Sequence, residues 1–383
     1  MKVLIGARIF DGERLRDDCA LVIEGDSIQA LTRFDDRPRG SDQLDLGGGV
    51  LAPGFIDWQI NGGGGVLFNA EPTVDGIAAI AAAHRRAGVT SFLPTVVTDA
   101  PRVLIEALAA AREAHKRVRG ALGVHVEGPF IDPRRKGVHP AEFIRPMLEK
   151  DADALIDARA GAMVVTLAPS SVPLERIARL AKAGIVVSLG HSDASAEEAA
   201  GVFKAGATAV THLYNAMSQL SSRAPGVVGA ALADPHIVCG LIADGEHAHA
   251  AAYRAAIAAK GARGVALVSD AMPPAAGGPD VFELQGRRMT RVGHKLVAED
   301  GTLAGAAITM RDAVDYVVRT LGIPLAEALI MATLTPARLL RVDDRIGRLK
   351  PGLRADLVHL TDDLHVAEAW TGGRRLEEVE AAG

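Results

Sequence analysis

Short unbroken runs of apolar, often β-branched residues alternate with Ala-rich stretches from about residue 54 to about residue 340. Unbroken rather than alternating apolar runs are typical of parallel strands that are buried on both faces. Eight of these runs predict strands, at residues 54–60, 91–96, 121–127, 163–168, 185–191, 209–213, 237–242 and 264–270. Apolar residues at helical spacing between them predict helices, at 74–87, 101–117, 172–183, 196–205 and 248–260.

Eight strands separated by helices indicate an α/β fold, a (β/α)8 TIM-like barrel. A doubly wound open sheet is the competing topology. Its nucleotide-binding form needs a Gly-rich phosphate loop that opens a helix after the first strand. The run Gly62-Gly63-Gly64-Gly65 opens no clear helix, so we interpret it as a flexible loop at the barrel mouth.

Both chain ends carry shorter β patterns outside the barrel. Residues 20–30 predict two strands joined by a Gly25-Asp26 turn, and the turn signal at 350–352 precedes a further strand at 356–360. Neither end has enough apolar residues to build a core of its own. We therefore predict a small β-sandwich domain formed by residues 1–53 and 345–383, beside a barrel domain of residues 54–344.

Composition and charge narrow the class of partner. The 383 residues are 49% hydrophobic and 23% charged, with a formal net charge of −5 and no long basic run. Nucleic acid is not expected as a partner, because binding its phosphate backbone requires clustered Lys and Arg. No segment approaches the roughly 20 apolar residues of a membrane span. With only Cys19 and Cys239 as cysteines and no N-terminal signal core, we expect a cytoplasmic protein that acts on a small molecule.

Three of the predicted strands end on side chains that bind metals, Glu127, His191 and His212. The C-terminal ends of barrel strands open into one mouth, so residues distant in sequence converge there. One carboxylate and two imidazoles are a usual ligand set for a divalent ion that keeps positions open for water. Any one of these residues alone would be interpreted as a polar strand cap. The set predicts a metal-dependent hydrolase.

Asp270 ends the eighth predicted strand, and two roles fit it. It either shuttles a proton between activated water and a leaving nitrogen, or it caps a helix N-terminus. Gln59 and Asn61 end the first strand with amides, which are poor zinc ligands, and residues 163–168 contain no Lys that could be carboxylated to bridge two metals. One metal ion is therefore favoured over two. His125, on the same strand face as Glu127, is interpreted as a core or supporting histidine.

These residues and their flanking motifs closely resemble the N-acetylglucosamine-6-phosphate deacetylase family of the amidohydrolase superfamily. The resemblance covers nearly the whole chain. The motifs HVEGPF at 125–130 and HLYNAM at 212–217 are specific to that family, whereas PGFID at 53–57 and ADLV at 355–358 mark only the superfamily.

The resemblance implies metal-dependent hydrolysis of N-acetylglucosamine 6-phosphate to glucosamine 6-phosphate and acetate. It implies one divalent ion per subunit, with zinc expected and iron, manganese and cobalt as alternatives. In this reading Glu127, His191 and His212 bind the metal, Asp270 is the catalytic acid/base, and His139 polarises the acetamide carbonyl. The implied substrate-binding residues are Asn215, the backbone of Ala216, His247, Leu303, Ala304, Gly305 and Arg223, the last pairing with the phosphate across a homodimer interface.

Two rival functions stay open at this point. One is an amidohydrolase that acts on another acetamido sugar phosphate, or a cyclic amidase or deaminase. The other is a catalytically silent sugar-phosphate-binding protein, which would keep Arg223 and Asn215 but would have no need of Asp270. Without the resemblance, Arg223 is equally well interpreted as a solvated loop charge, and its guanidinium is well suited to a phosphate.

Overall fold

A computed structural model describes residues 1–376, and its centre is a cylinder of eight parallel strands. The strands are β1 Phe55–Ile60, β2 Val89–Val97, β3 Gly123–Glu127, β4 Ala162–Leu167, β5 Val186–Leu189, β6 Ala209–Val210, β7 Val238–Ile242 and β8 Val265–Val268. Each strand pairs in parallel with the next one along the chain.

Backbone hydrogen bonds join the last strand to the first. The Asp270 N–H donates to the Gln59 carbonyl at 3.0 Å, and the Asn61 N–H donates to the Ala271 carbonyl at 2.9 Å. The sheet therefore closes, and the predicted TIM-like barrel is confirmed. Because closure brings residues 59–61 beside residue 270, the first and last strand ends share one side of the barrel mouth.

Helices follow the strands and pack on the outside of the barrel. They are α1 Val74–Arg85, α2 Pro101–Arg117, α3 Glu149–Ala158, α4 Leu174–Lys182, α5 Ala196–Lys204, α6 Gly226–Ala233, α7 Ala250–Lys260, α8 Met310–Asp315 with a π-helical turn at Tyr316–Thr320, α9 Leu325–Ala332 and α10 Leu334–Leu339. The local sequence explains their starts. In α5, for example, Ser195 and Glu198 form a reciprocal capping box.

The two chain ends form two sheets beside the barrel. A four-stranded sheet has the order Ser27–Arg33, Cys19–Glu24, Lys2–Ile5, Asp42–Asp45, and a six-stranded sheet has the order Arg374–Arg375, Val366–Thr371, Leu357–Leu360, Val50–Pro53, Arg8–Phe10, Leu15–Arg16. Leu4 and Leu21 from the first sheet share one apolar cluster with Leu357 and Trp370 from the second. The predicted sandwich of both chain ends is thus confirmed. Its boundaries at 53/54 and 344/345 stay a prediction, and residues 377–383 lie outside the described part.

Between β8 and α8 lies an antiparallel meander that was not predicted from the sequence. Its strands are Val281–Leu284, Arg287–Val292, Lys295–Ala298 and Leu303–Ala306. The meander packs on Met272 and Leu67 at the barrel mouth. The glycine run after β1 also differs from its interpretation as a loop, because Gly62–Gly63 pairs with Val66–Leu67 in a short hairpin.

The predicted positions of the barrel strands are confirmed, but several strands end earlier than expected. β5 ends at Leu189 and β6 at Val210, two residues before His191 and His212. The prediction that these strands run to residues 191 and 213 was wrong, because φ is +45° at His191 and +30° at His212, which no extended strand adopts. Within residues 1–376, no helix has the length and apolar character needed to cross a membrane.

Candidate metal centre and active site

Three buried side chains from β3 and from the ends of β5 and β6 converge at the barrel mouth. Glu127 Oε1 lies 3.0 Å from His191 Nε2 and 3.0 Å from His212 Nε2, and the two imidazole nitrogens are 3.1 Å apart. Zinc bonds of about 2.0–2.3 Å would place tetrahedral ligand atoms roughly 3.3 Å from one another. The structure thus brings together the three predicted ligands at a spacing close to that of a metal centre.

The backbone turns sharply where these side chains leave their strands. His191, His212 and Asp270 all have left-handed φ values, of 45°, 30° and 48°. This region is sparsely populated by residues other than glycine and costs on the order of 1 kcal/mol or more at each position. Such strain, repeated at three strand ends around one point, marks a place where the fold holds side chains for function rather than for stability.

The donor chemistry of the cluster fits a cation. His191 Nδ1 lies 2.9 Å from the carbonyl oxygen of Arg135, which can only accept, so Nδ1 carries the proton. In the neutral ring Nε2 then presents a lone pair to the Glu127 carboxylate, and the two repel unless positive charge lies between them. Burial lowers the pKa of His212, but the Glu127 carboxylate outweighs it and the pKa is raised overall. The site therefore attracts positive charge, as a proton or as a metal.

A second triad, Glu127, His139 and His191, also satisfies the spacing of a metal site among the described residues, with its ligand atoms within 4.8 Å of one another. Its spacing is looser than the distances of 3.0–3.1 Å in the triad that contains His212. The His139 ring packs against His191 with the ring centroids 4.5 Å apart. We therefore interpret His139 as a neighbour of the candidate cation site that faces the cavity above it.

Asp270 lies beside this cluster and is held by amides. Its Oδ1 accepts from Asn61 Nδ2 at 2.7 Å and from Gln59 Nε2 at 3.1 Å, and the same Gln59 nitrogen donates to Glu127 Oε2 at 3.1 Å. Burial, together with the negative charge of Glu127, raises the pKa of Asp270 to about 6. A carboxyl group with this pKa can both accept and return a proton near neutral pH.

His139 is buried and neutral. Burial and the neighbouring His191 lower the pKa of His139 to about 3, so only one of its ring nitrogens carries a proton. Its Nδ1 lies 2.7 Å from the Thr98 hydroxyl, which can donate to it and leave the proton on Nε2. Thr98, at the end of β2, was not predicted from the sequence.

A buried network of hydroxyl groups lies inside the barrel, near the strand ends that carry the cluster. Thr211 Oγ1 lies 2.6 Å from both Thr166 Oγ1 and Ser188 Oγ, and His125 Nε2 lies 2.7 Å from Thr166 Oγ1. Burial lowers the pKa of His125 to about 4, so its ring is neutral. The interpretation of His125 as a core histidine is confirmed.

A cavity of about 400 Å³ opens over the cluster. This volume lies in the range of roughly 300–1,000 Å³ typical of small-molecule sites. Its walls include the predicted residues His139, Asn215, Ala216, His247, Leu303 and Gly305. Ala304 does not line it, because alternate residues of the meander strand face opposite sides and Ala304 packs in the apolar cluster with Met289 and Leu296.

Two of these wall residues are held in fixed orientations. The Asn215 amide nitrogen donates to the His212 and Leu213 carbonyls at 3.3 and 3.2 Å, which leaves its oxygen turned away from those bonds. His247 Nδ1 lies 2.7 Å from Asp244 Oδ2, so Nε2 is the nitrogen left for a ligand. Arg223, in contrast, lies on an exposed loop outside the cavity wall of its own chain.

Arg134 and Arg135 also line the cavity and were missed in the sequence. They follow Glu127 by a few residues, in the 3-10 turn Pro133–Arg135. Two adjacent arginines between Glu127 and His139 are the sequence signal that could have identified them. The meander contributes Leu284 and Thr302 to the same wall.

Comparisons with known proteins agree with this geometry. The model of the amidohydrolase family matches residues 50–376. An N-acetylgalactosamine-6-phosphate deacetylase of Shewanella sp. (strain ANA-3) is 38% identical over 100% of this chain and 98% of that protein. An N-acetylglucosamine-6-phosphate deacetylase of Haemophilus influenzae is 36% identical over 97% of this chain and 98% of that protein. The crystal structure of the N-acetylglucosamine-6-phosphate deacetylase of Pasteurella multocida has a TM-score of 0.95 at 35% identity, covering 98% of this chain and 99% of that one.

Glu127→Gln tests whether the cluster binds a cation. We expect affinity for divalent metals to fall by at least about 100-fold, because losing a ligating carboxylate should cost more than the roughly 10–100-fold seen when a supporting group is lost. Competition with a chromogenic chelator measures this affinity. Glu142→Gln, at an exposed position, is the matched control and should bind like the wild type. Unchanged binding by Glu127→Gln would place the cation elsewhere.

Proposed function

This chain belongs to the amidohydrolase family, and from that premise we propose that it hydrolyses N-acetylglucosamine 6-phosphate to glucosamine 6-phosphate and acetate. The observation that carries the proposal is the Glu127, His191 and His212 cluster beside Asp270, at the floor of a cavity sized for a small molecule. A binding protein that performs no chemistry would not need a strained, buried acid/base group in that place.

One divalent cation, most naturally zinc, is held in this proposal by Glu127, His191 and His212. Imidazole and carboxylate ligands suit zinc, with iron, manganese and cobalt as alternatives. The neutral amides of Gln59 and Asn61 bind Glu127 and Asp270 and so occupy the side of the mouth where a second cation would need ligands. A bound cation supplies Lewis acidity for the acetamide carbonyl and lowers the pKa of the attacking water.

Asp270 moves the proton. Its ionised carboxylate takes a proton from water as the oxygen attacks the acetyl carbon, and the protonated carboxyl group then delivers it to the sugar nitrogen as the C–N bond breaks. The amides of Asn61 and Gln59 hold Oδ1 in place through both steps. Of the two roles that the sequence allows for Asp270, this proposal uses the proton shuttle and not the helix N-cap.

His139 stabilises the charge that develops on the carbonyl oxygen. With Nδ1 bonded to Thr98, the Nε2–H of the neutral ring is the donor that faces the site. A fixed donor in a buried site that excludes bulk water stabilises this charge far more than the same contact does in water. Exclusion of water is supported by the 4% exposure of His139.

The phosphate end of the substrate would lie toward Asn215 and the backbone of Ala216, and His247 would contact the sugar. Arg223 would complete this end from the neighbouring subunit of a homodimer. Among the described residues Arg223 has no carboxylate partner in its own chain, and adjacent Leu220 is 57% exposed, next to an apolar groove between α5 and α6. An exposed arginine beside exposed apolar surface suits an interface that carries a guanidinium to a partner's phosphate.

The galactosamine epimer is a second candidate substrate. The Shewanella relative, at 38% identity over the whole chain, is an N-acetylgalactosamine-6-phosphate deacetylase. The two sugars differ only at one hydroxyl group, so the same cation, Asp270 and His139 would act on either.

The cytoplasmic location expected earlier stays a prediction, and the free thiols of Cys19 and Cys239 fit a reducing compartment.

Acetate release from both 6-phosphates tests the proposal. Purified protein, stripped with a chelator and returned to zinc, iron, manganese or cobalt, should release acetate from N-acetylglucosamine 6-phosphate only when metal is present. Faster turnover of the galactosamine epimer would support the second candidate instead. No release from either sugar with any metal, despite tight binding of the sugars, would favour a silent binding protein.

Replacing Asp270 separates chemistry from metal binding. Asp270→Asn should lower kcat by about 100-fold or more, the typical contribution of general acid–base catalysis, while metal content stays at the wild-type level. In the wild type, kcat/KM should fall as pH drops through the raised pKa of Asp270, because the protonated carboxyl group cannot take up a proton from water. A fully active Asp270→Asn variant would remove Asp270 from the mechanism.

A further inference from the structure

We propose that Asp193 is a positioning residue for the metal centre, acting through Arg135 on the orientation of His191. Asp193 contributes neither to the cavity wall nor to the ligand cluster. It lies two residues after His191, on the segment that leaves β5. The inference rests on the proposed metal-dependent function and adds a residue to it.

The side chain of Asp193 holds the segment that follows β3. Asp193 Oδ1 accepts from Arg135 Nε at 2.8 Å and from Arg135 Nη2 at 2.7 Å, and Asp193 Oδ2 lies 3.3 Å from Arg134 Nη1. Arg134 in turn donates to the buried carboxylate of Asp132, at 2.8 Å from Nη2. Arg134 and Arg135, on the segment that follows β3, are therefore bound to two aspartates. Asp132 lies on the same segment, and Asp193 lies on the segment that follows β5.

Backbone bonds join the same two segments directly at His191. The Asp132 N–H donates to the His191 carbonyl at 2.9 Å, and His191 Nδ1–H donates to the Arg135 carbonyl at 2.9 Å. The Asp193 N–H points to Asp132 Oδ2 at 3.4 Å. Arg135 thus binds His191 through its backbone carbonyl and Asp193 through its guanidinium. The ion pair therefore keeps the carbonyl within hydrogen-bonding distance of His191 Nδ1.

This contact decides which nitrogen of His191 faces the cation. The Arg135 carbonyl keeps the proton on Nδ1 and the lone pair on Nε2, and such supporting contacts orient metal-bound histidines. His212 has no equivalent, because its Nδ1 has no hydrogen-bond partner among residues 1–376. The cluster therefore depends on the anchor at His191. The same segment ends at His139, so its position affects the donor to the substrate as well.

The ion pair is too exposed to matter much for global folding. The side chains of Asp193 and Arg135 are 29% and 39% exposed, and ion pairs at such positions contribute little to stability. Loss of the pair should therefore weaken metal binding without unfolding the protein. If Asp193 had a purely structural role, its loss would destabilise the protein and leave metal affinity unchanged.

Asp193→Asn tests the inference, with the zinc dissociation constant of the stripped protein measured by chelator competition. We expect it to rise by about 10–100-fold, the usual cost of losing a group that supports a metal ligand. The absorption spectrum of the cobalt-loaded variant should also change, because the ligand field depends on the orientation of His191. Thermal unfolding of the metal-free protein should stay at the wild-type midpoint. Asp151→Asn, which weakens the Arg145–Asp151 ion pair away from the cavity, should bind zinc like the wild type.

A double variant tests the route through Arg135. Arg135→Met should weaken zinc binding as Asp193→Asn does. Because both changes break the same Arg135–Asp193 ion pair, the double variant should bind zinc no more weakly than the weaker of the two single variants. Additive losses, or wild-type affinity in Asp193→Asn, would overturn the inference. If the wild-type chain itself binds no divalent cation, the proposed function fails and this inference fails with it.

Discussion

The architecture of the mouth depends on one electrostatic constraint, the approach of a buried carboxylate to the Nε2 atoms of two imidazoles within about 3 Å. Glu127 is almost wholly buried, and the Arg135 carbonyl fixes a proton on His191 Nδ1, so the neutral ring turns the lone pair of Nε2 toward the carboxylate. Such a group of acceptors is stable only with positive charge between them. The left-handed backbone at His191, His212 and Asp270 and the amides of Gln59 and Asn61 hold side chains around that charge.

The convergence of the candidate site residues was predictable because a parallel barrel places the C-terminal end of every strand at one mouth. Glu127, His191, His212 and Asp270 each follow a continuous apolar run, and that pattern alone predicted their convergence. The left-handed turns were not predictable, because neither histidine nor aspartate signals positive φ as glycine does. Arg135 was missed for another reason. Its effect on His191 comes from a backbone carbonyl, which leaves no trace in the residue type.

The meander at residues 281–306 shows a different limit. Its strands are only four to six residues long and are separated by turns that contain glycine, so they resemble a loop, although Gln285-Gly286, with φ values of 52° and 78°, is a typical two-residue hairpin turn. Only its position against Met272 and Leu67 reveals that it walls the cavity. The resemblance of the flanking motifs to deacetylases anticipated Leu303 and Gly305 in that wall, whereas strand alternation places Ala304 behind them.

In the proposed mechanism one divalent cation lies between Glu127, His191 and His212. Anomalous diffraction from crystals of the metal-loaded protein, measured on both sides of the zinc absorption edge, tests it most directly. We expect a single peak within bonding distance of Glu127 Oε1 and the Nε2 atoms of both histidines. A peak bonded to Gln59 or Asn61, or two peaks in one mouth, would contradict it.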